Sequence, residues 1–246
     1  MSLFKVFILG LVQGLTEFLP VSSSGHLVII QNLFSFSTPP VLLDVLVHLA
    51  TALAVVVVLW PKLKTISFKY IYLIILASIP AGLLGIFLNQ QIEALFSSTA
   101  LVGLALIVTS LLLFSTKLIK SKKHQPLSTK NSFLIGLSQA LAIIPGISRS
   151  GSTITVGLHS KLKPEQAFNF SFLLSLPAIL GAQLLQLNKL INISITDLQF
   201  IVVGFVTAFI SGLISLKLLK KFVIKGKLHL FGFYCLTLGA LVLFLL

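Results

Sequence analysis

An all-α polytopic membrane protein is the fold class this 246-residue sequence predicts, and three observations carry it. Charged residues make up 9% of the chain against 57% hydrophobic ones, where a soluble domain carries about 25% Asp, Glu, Lys and Arg. The mean hydropathy is +1.10, and apolar runs close to the length of a bilayer-crossing helix recur along the chain. Finally, 15 of the 18 basic residues fall in four short stretches beside those runs: Lys62 to Lys69, Lys117 to Lys130, Lys161 with Lys163, and Lys217 to Lys227. Together these exclude a soluble enzyme and a disordered chain. With one cysteine, Cys235, they also exclude a disulfide scaffold and a thiolate metal cluster.

The net charge of +13 does not point to nucleic acid, because no polar domain mixes arginine with aromatics to receive it. Clustered lysines beside apolar runs are what cytoplasmic loops carry under the positive-inside rule. Windows of about 19 residues predict six crossings, at 42–60, 70–88, 100–118, 165–187, 198–216 and 228–246. The basic loops 61–69, 117–130 and 217–227 then lie inside, as do Lys161 and Lys163. The 89–99 connection, with Glu93 and no Lys or Arg, and the 188–197 connection, with Lys189 and Asp197, lie outside.

Two regions cannot be simple crossings. Apolar residues 3–19 run into Pro20-Val-Ser-Ser-Ser-Gly25 and a short piece at 27–34; residues 133–144 run into Pro145-Gly-Ile-Ser-Arg-Ser-Gly151 and a short piece at 152–159. Eight residues at about 1.5 Å each cannot cross about 30 Å of hydrocarbon. Irregular polar backbone at membrane depth requires protein or a wet cavity around it. Both regions therefore read as re-entrant helix-loop-helix hairpins, 1–34 entering from outside and 131–160 from the cytoplasm. The alternative for the first, a signal peptide, is at odds with Gln13 and Glu17 inside the apolar core and with an internal counterpart at 131–160.

The hairpins match each other at an offset of 126, which also carries three of the crossings onto later ones. Each half then holds one hairpin and three crossings, an odd number. The sequence thus predicts one membrane domain over 1–246, built as inverted repeats at about 1–123 and 127–246, with a site near midplane where the repeats meet.

Chemistry concentrates in the hairpins. Gln13 and Glu17 stand at i and i+4 and share a helix face; their oxygens suit a hard divalent cation completed by water and ligand oxygens. Glu17 can equally pair with Arg149 as structural glue, although an ionisable group at membrane depth argues for function. Ser22, Ser23 and Ser24 form the break beside Gly25 and His26. A hydroxyl made nucleophilic by a base, or the imidazole itself as nucleophile or acid, are open alternatives. Arg149 is the only arginine of the chain, and its planar fork matches two phosphate oxygens. Around it stand Ser148, Ser150, Ser152 and Thr153 at a helix start, where free N–H groups favour an anion. Asp44 and His48, also i and i+4, suit helix–helix hydrogen bonding as well as catalysis.

The segments Gln13-Gly-Leu-Thr-Glu-Phe-Leu-Pro-Val-Ser-Ser-Ser-Gly-His26 and Pro145-Gly-Ile-Ser-Arg-Ser-Gly-Ser-Thr153 resemble the two signatures of the undecaprenyl-diphosphate phosphatase family, also called bacitracin-resistance proteins. The likeness extends over essentially the whole chain. It implies removal of the terminal phosphate from undecaprenyl diphosphate with a divalent cation, Mg or Ca, so recycling the carrier lipid for peptidoglycan and conferring bacitracin resistance. It implies Glu17, Ser23, His26 and Arg149 as the catalytic and binding set; the neighbouring Gln13, Ser22, Ser24, Ser148, Ser150 and Thr153 are expected, from their polar groups at the two breaks, to bind substrate. Glu17 and Gln13 would be the metal side chains; the family allows Glu or Gln at the first position, and Gln13 lowers the local negative charge by one. The expected setting is a bacterial plasma membrane with the site opening outward. The expected partners are a polyprenyl diphosphate lipid and the bilayer, with no nucleic acid, and a homodimer is compatible. An inverted-repeat transporter or flippase for a phosphorylated lipid or small anion is the competing class. A type 2 phosphatidic-acid phosphatase is disfavoured, because after Ser148-Arg149 the next histidine, His159, comes too late.

Overall fold

The computed structural model describes residues 2–33, 41–119, 123–186 and 198–245, and among these every regular element is helical. The helices are α1 Leu3–Phe18, α2 Ser23–Leu33, α3 Val41–Val58, α4 Trp60–Leu63, α5 Phe68–Phe87, α6 Asn89–Leu95, α7 Thr99–Ser115, α8 Thr129–Leu141, α9 Arg149–His159, α10 Pro164–Gln186, α11 Leu198–Ile224 and α12 Leu230–Leu245. A 3₁₀ turn, Thr116–Leu118, extends α7. Four helical stretches, Phe68–Phe87, Thr99–Leu118, Pro164–Leu185 and Leu198–Ile224, are long and apolar enough to cross a membrane; Leu43–Val58 and Leu230–Leu245 are shorter apolar helices. The chain is a multi-pass membrane protein.

Each expected crossing is a helix, with two adjustments. Helix α11 continues eight residues past the expected end at 216, so Lys217, Lys220 and Lys221 lie on a helix and not in a loop. Lysine propagates a helix well, and cations in the last turn complement its dipole. The 89–99 connection contains α6. The 188–197 connection, Lys120 and Lys122 fall outside the described residues.

The short pieces after each break are α2 and α9, of 11 residues each, or about 16 Å. They fold back on α1 and α8, respectively. The first break is confined to 19–22, so Ser23, Ser24 and Gly25 are already helical. Helices α2 and α9 begin at Ser23 and Arg149, 126 residues apart. Matched packing also runs through the two halves. Helix α1 lies on α11 as α8 lies on α5, and α3 meets α11 as α10 meets α5, while α7 meets α12 and α3 meets α10.

Small residues set the closest approaches. A Cβ on Gly14 of α1 would stand 2.0 Å from Ser211 Oγ and 2.4 Å from the Ala208 carbonyl of α11; one on Gly136 of α8 would stand 2.3 Å from the Ala77 carbonyl of α5. Ser215 Oγ donates to the Gly14 carbonyl at 2.7 Å. Without a hydrophobic drive between helices in lipid, such close backbone packing and inter-helix hydrogen bonds hold the bundle together. Buried aromatic rings join the end of α1 to α10: Phe18, Phe168, Phe170 and Phe172 are all fully buried, with the Phe18 and Phe172 rings edge to face at 5.5 Å.

Candidate active site

The two hairpin tips meet. Ser22 has φ 67°, unusual for a residue with a side chain, and its hydroxyl explains the conformation. Ser22 Oγ accepts from Gly25 N at 3.3 Å, capping α2, and from Gly146 N of the second tip at 3.1 Å. Gly146 itself has φ 98°; a Cβ there would stand 2.6 Å from the Val102 carbonyl, so only glycine fits this turn. Ser148 repeats the cap on α9, accepting from Gly151 N at 3.1 Å. In both caps the hydroxyl also lies 3.3 Å from that of the serine two residues on, Ser24 in one and Ser150 in the other. Thr109 of α7 braces the second tip, donating to the Gly146 carbonyl at 2.9 Å and accepting from Ser148 N at 3.0 Å.

This contact brings the end of α1 against the start of α9. The Glu17 carboxylate is the centre: its Oε1 accepts from Arg149 Nη2, and its Oε2 accepts from Ser23 Oγ at 2.7 Å and Gln13 Nε2 at 3.1 Å. The glutamate and arginine side chains are 8% and 16% exposed. Burial at this level strengthens their attraction and makes any uncompensated member costly. The pair uses one arm of the fork: Arg149 Nη1 is buried with no partner. Its guanidinium carbon sits 6.0 Å from the centre of the Phe172 ring, at the outer reach of a cation–π contact.

His26 is turned away from this carboxylate. Its Nδ1 lies 2.8 Å from the Ser22 carbonyl and its Nε2 2.7 Å from the Tyr234 hydroxyl. A carbonyl only accepts, so Nδ1 carries the proton; in the neutral ring Nε2 accepts from Tyr234. The two rings stack, 4° from parallel, with centres 5.7 Å apart. The hydroxyl of Ser23 therefore has Glu17, and not imidazole, as its hydrogen-bond acceptor.

The remaining expected residues divide. Gln13 is fully buried, and its Oε1 has no partner. Ser150 Oγ reaches the Leu19 carbonyl at 3.5 Å, again across the tips. Thr153 Oγ1 is committed to the Arg149 carbonyl at 2.8 Å and Ser171 Oγ at 2.5 Å, and Ser148 is a buried cap; both shape α9. Asp44 and His48 pair within α3, with Nδ1 2.8 Å from the Asp44 carbonyl and 3.6 Å from its carboxylate. Sequence reasoning missed Tyr234, Phe172 and Thr109. The signal for Tyr234 was present: a phenol within the apolar run of α12 needs a polar partner.

For a divalent cation, no three His, Cys, Asp or Glu side chains group together among the described residues. The oxygen set does fit a cation delivered with its ligand: the orphaned Gln13 Oε1 stands one turn from Glu17, whose Oε1 accepts only one hydrogen bond and keeps a lone pair. Glu17 and Gln13 are thus the protein oxygens at hand, and ligand oxygens would complete the shell.

This chain is similar to proteins named undecaprenyl-diphosphatase. That of Halothermothrix orenii is 38% identical over 255 aligned residues, covering 100% of this chain and 98% of the relative. That of Methanococcus vannielii is 43% identical over 249, covering 96% and 98%. One from Bacteroides fragilis is 40% identical over 261, covering 99% and 98%. The family model described as bacitracin resistance protein BacA matches residues 6–241. Reaching across both hairpins and nearly every helix of the bundle, that match means that the chain belongs to the bacitracin resistance protein BacA family.

Proposed function

We propose that this protein is an integral-membrane phosphatase that hydrolyses undecaprenyl diphosphate to undecaprenyl phosphate and inorganic phosphate, so recycling the carrier lipid for cell-wall synthesis and conferring bacitracin resistance. The observation that carries it is a buried, half-paired guanidinium beside a serine hydroxyl already hydrogen-bonded to a carboxylate. The free Nη1 and the N–H groups opening α9 and α2 supply donors for the equatorial oxygens of a phosphoryl group, whose transfer depends on positioning and charge stabilisation.

Ser23 Oγ attacks the terminal phosphorus as its proton passes to Glu17 Oε2. The bond from that phosphorus to the bridging oxygen breaks, Glu17 hands its proton to that leaving oxygen, and undecaprenyl phosphate departs. Water then attacks the phosphoserine, giving its proton to the restored Glu17 carboxylate; the bond from phosphorus to Ser23 Oγ breaks, Glu17 returns the proton to that oxygen, and inorganic phosphate leaves. His26, engaged at both ring nitrogens, holds the Ser22 turn that aims Ser23. Gln13 and Glu17 would hold a cation, Mg or Ca, which neutralises charge on the diphosphate when bound.

The halves are inverted repeats at about 1–123 and 127–246; the matched caps and paired packing support this. By the positive-inside rule the lysine-rich end faces the cytoplasm of a bacterial cell, and the first hairpin opens outward, where spent diphosphate carrier accumulates. Phosphate release by purified protein from undecaprenyl diphosphate in detergent, with and without chelator, tests the reading. Activity is expected for the parent, with a drop of about 10²-fold or more in Glu17→Gln and Ser23→Ala. Full release in either variant, or no release by the parent with cation present, overturns it.

A further inference from the structure

The lysine-rich stretches gather around a second site. A cavity of about 510 Å³ is lined by Lys62 of α4, Tyr70 at the start of α5, His124 ahead of α8, and Lys163, Glu165 and Asn169 at the start of α10. None of the hairpin residues lines it. Its size falls among those of small-ligand pockets.

Its walls are short of partners in a particular way. Glu165 is the carboxylate of the lining, and it is held 2.9 Å from Lys220 Nζ. Lys62 and Lys163 form no ion pair among the described residues, and Lys62 Nζ is drawn against the wall, 5.3 Å from the Tyr70 ring centre. The Tyr70 hydroxyl and Asn169 Oδ1 are both buried without a hydrogen-bond partner. A buried polar atom left unsatisfied is costly. The start of the 23-residue helix α10 lies at the same wall, and its dipole adds to the positive potential. Two unpaired cations and an orphan phenol call for anionic oxygens, while the orphan amide oxygen calls for a hydroxyl donor.

We propose that this cavity binds a phosphate group that also bears a hydroxyl. Two sources share that chemistry: hydrogen phosphate in solution, and the phosphoglycerol headgroup of an anionic lipid. The site lies at the lysine-rich end of a membrane protein, within reach of both. It stands on residues of its own and does not depend on the hairpin chemistry.

The test is made on full-length protein carrying Glu17→Gln with Arg149→Ala, which removes both members of the buried pair, so that phosphate held at the hairpins does not register and no buried charge is left uncompensated. One arm measures retention of labelled inorganic phosphate by equilibrium dialysis in detergent. The other measures retention of phosphatidylglycerol against phosphatidylcholine after delipidation and native mass spectrometry. At least one ligand is expected to be retained, with binding weakened about tenfold or more by Lys62→Gln with Lys163→Gln and several-fold by Tyr70→Phe. Retention in the first arm identifies free phosphate, and retention in the second alone identifies the lipid. Retention of neither ligand, or equal retention by the lysine double variant, overturns the proposal. Loss of phosphate release in Glu17→Gln with Arg149→Ala bears on the hairpin reading alone.

Discussion

Ser22 is the residue on which the meeting of the hairpins turns, and its replacement by alanine has a calculable outcome. The substitution removes one hydroxyl that serves two backbone N–H groups, Gly25 N within the first hairpin and Gly146 N across the tips. Loss of a helix cap costs about 1 kcal/mol, and an orphaned buried N–H costs about 1–3 kcal/mol, so Ser22→Ala should lose about 2–4 kcal/mol. Alanine also keeps the φ of 67° with no compensating bond. Ser22→Gly loses the same two bonds and relieves about 1 kcal/mol of left-handed strain. It should therefore stand between parent and alanine. Thermal unfolding in detergent micelles, followed by far-ultraviolet circular dichroism, reads the order, and phosphate release reads whether Ser23 is still held on Glu17. The reasoning fails if Ser22→Ala unfolds with the parent, or if it proves more stable than Ser22→Gly.

Three further outcomes follow from the same geometry. Arg149→Lys keeps the charge but loses the fork, so it should retain the fold while phosphate release falls about 10²-fold; release within a few-fold of the parent would remove Nη1 from the site. Gly14→Ala drives a methyl into Ser211 Oγ and the Ala208 carbonyl, so α1 must lift from α11 at a cost of about 1–3 kcal/mol. Adding Ser211→Ala should restore only part of the loss in melting temperature, since the carbonyl contact stays. Tyr234→Phe removes the donor to His26 Nε2 while keeping the stacked ring; the orphaned nitrogen should cost about 1–3 kcal/mol of stability, and kcat for release should fall about tenfold with KM unchanged. A raised KM with kcat unchanged would assign Tyr234 to substrate binding instead.

The crossing helices and the two helix breaks were legible in the chain because each leaves a local mark. A bilayer imposes length and apolarity on every crossing helix, Pro and Gly mark the breaks, and a lone arginine amid serines at membrane depth has few explanations. The 126-residue offset reappears in the starts of α2 and α9 and in their matching serine caps. Boundaries were less legible. Lys217 to Lys221 read as loop by charge, yet continue α11, because a long aliphatic stem tolerates the end of a membrane helix while its ammonium reaches water.

Tertiary structure alone decided who serves whom. Sequence offered Glu17 as metal ligand or as glue; packing of the tips gives it Arg149 on one oxygen and Ser23 with Gln13 on the other, leaving Nη1 unpaired. Sequence left Ser23 and His26 as alternatives, and it is α12, more than 200 residues further along the chain, that brings Tyr234 to the imidazole. Spacing along a chain fixes only neighbours on one helix, whereas hydrogen-bond partners across helices depend on how bundle faces dock. That docking is set here by glycine contacts, such as Gly14 on α11 and Gly136 on α5, which no single segment encodes.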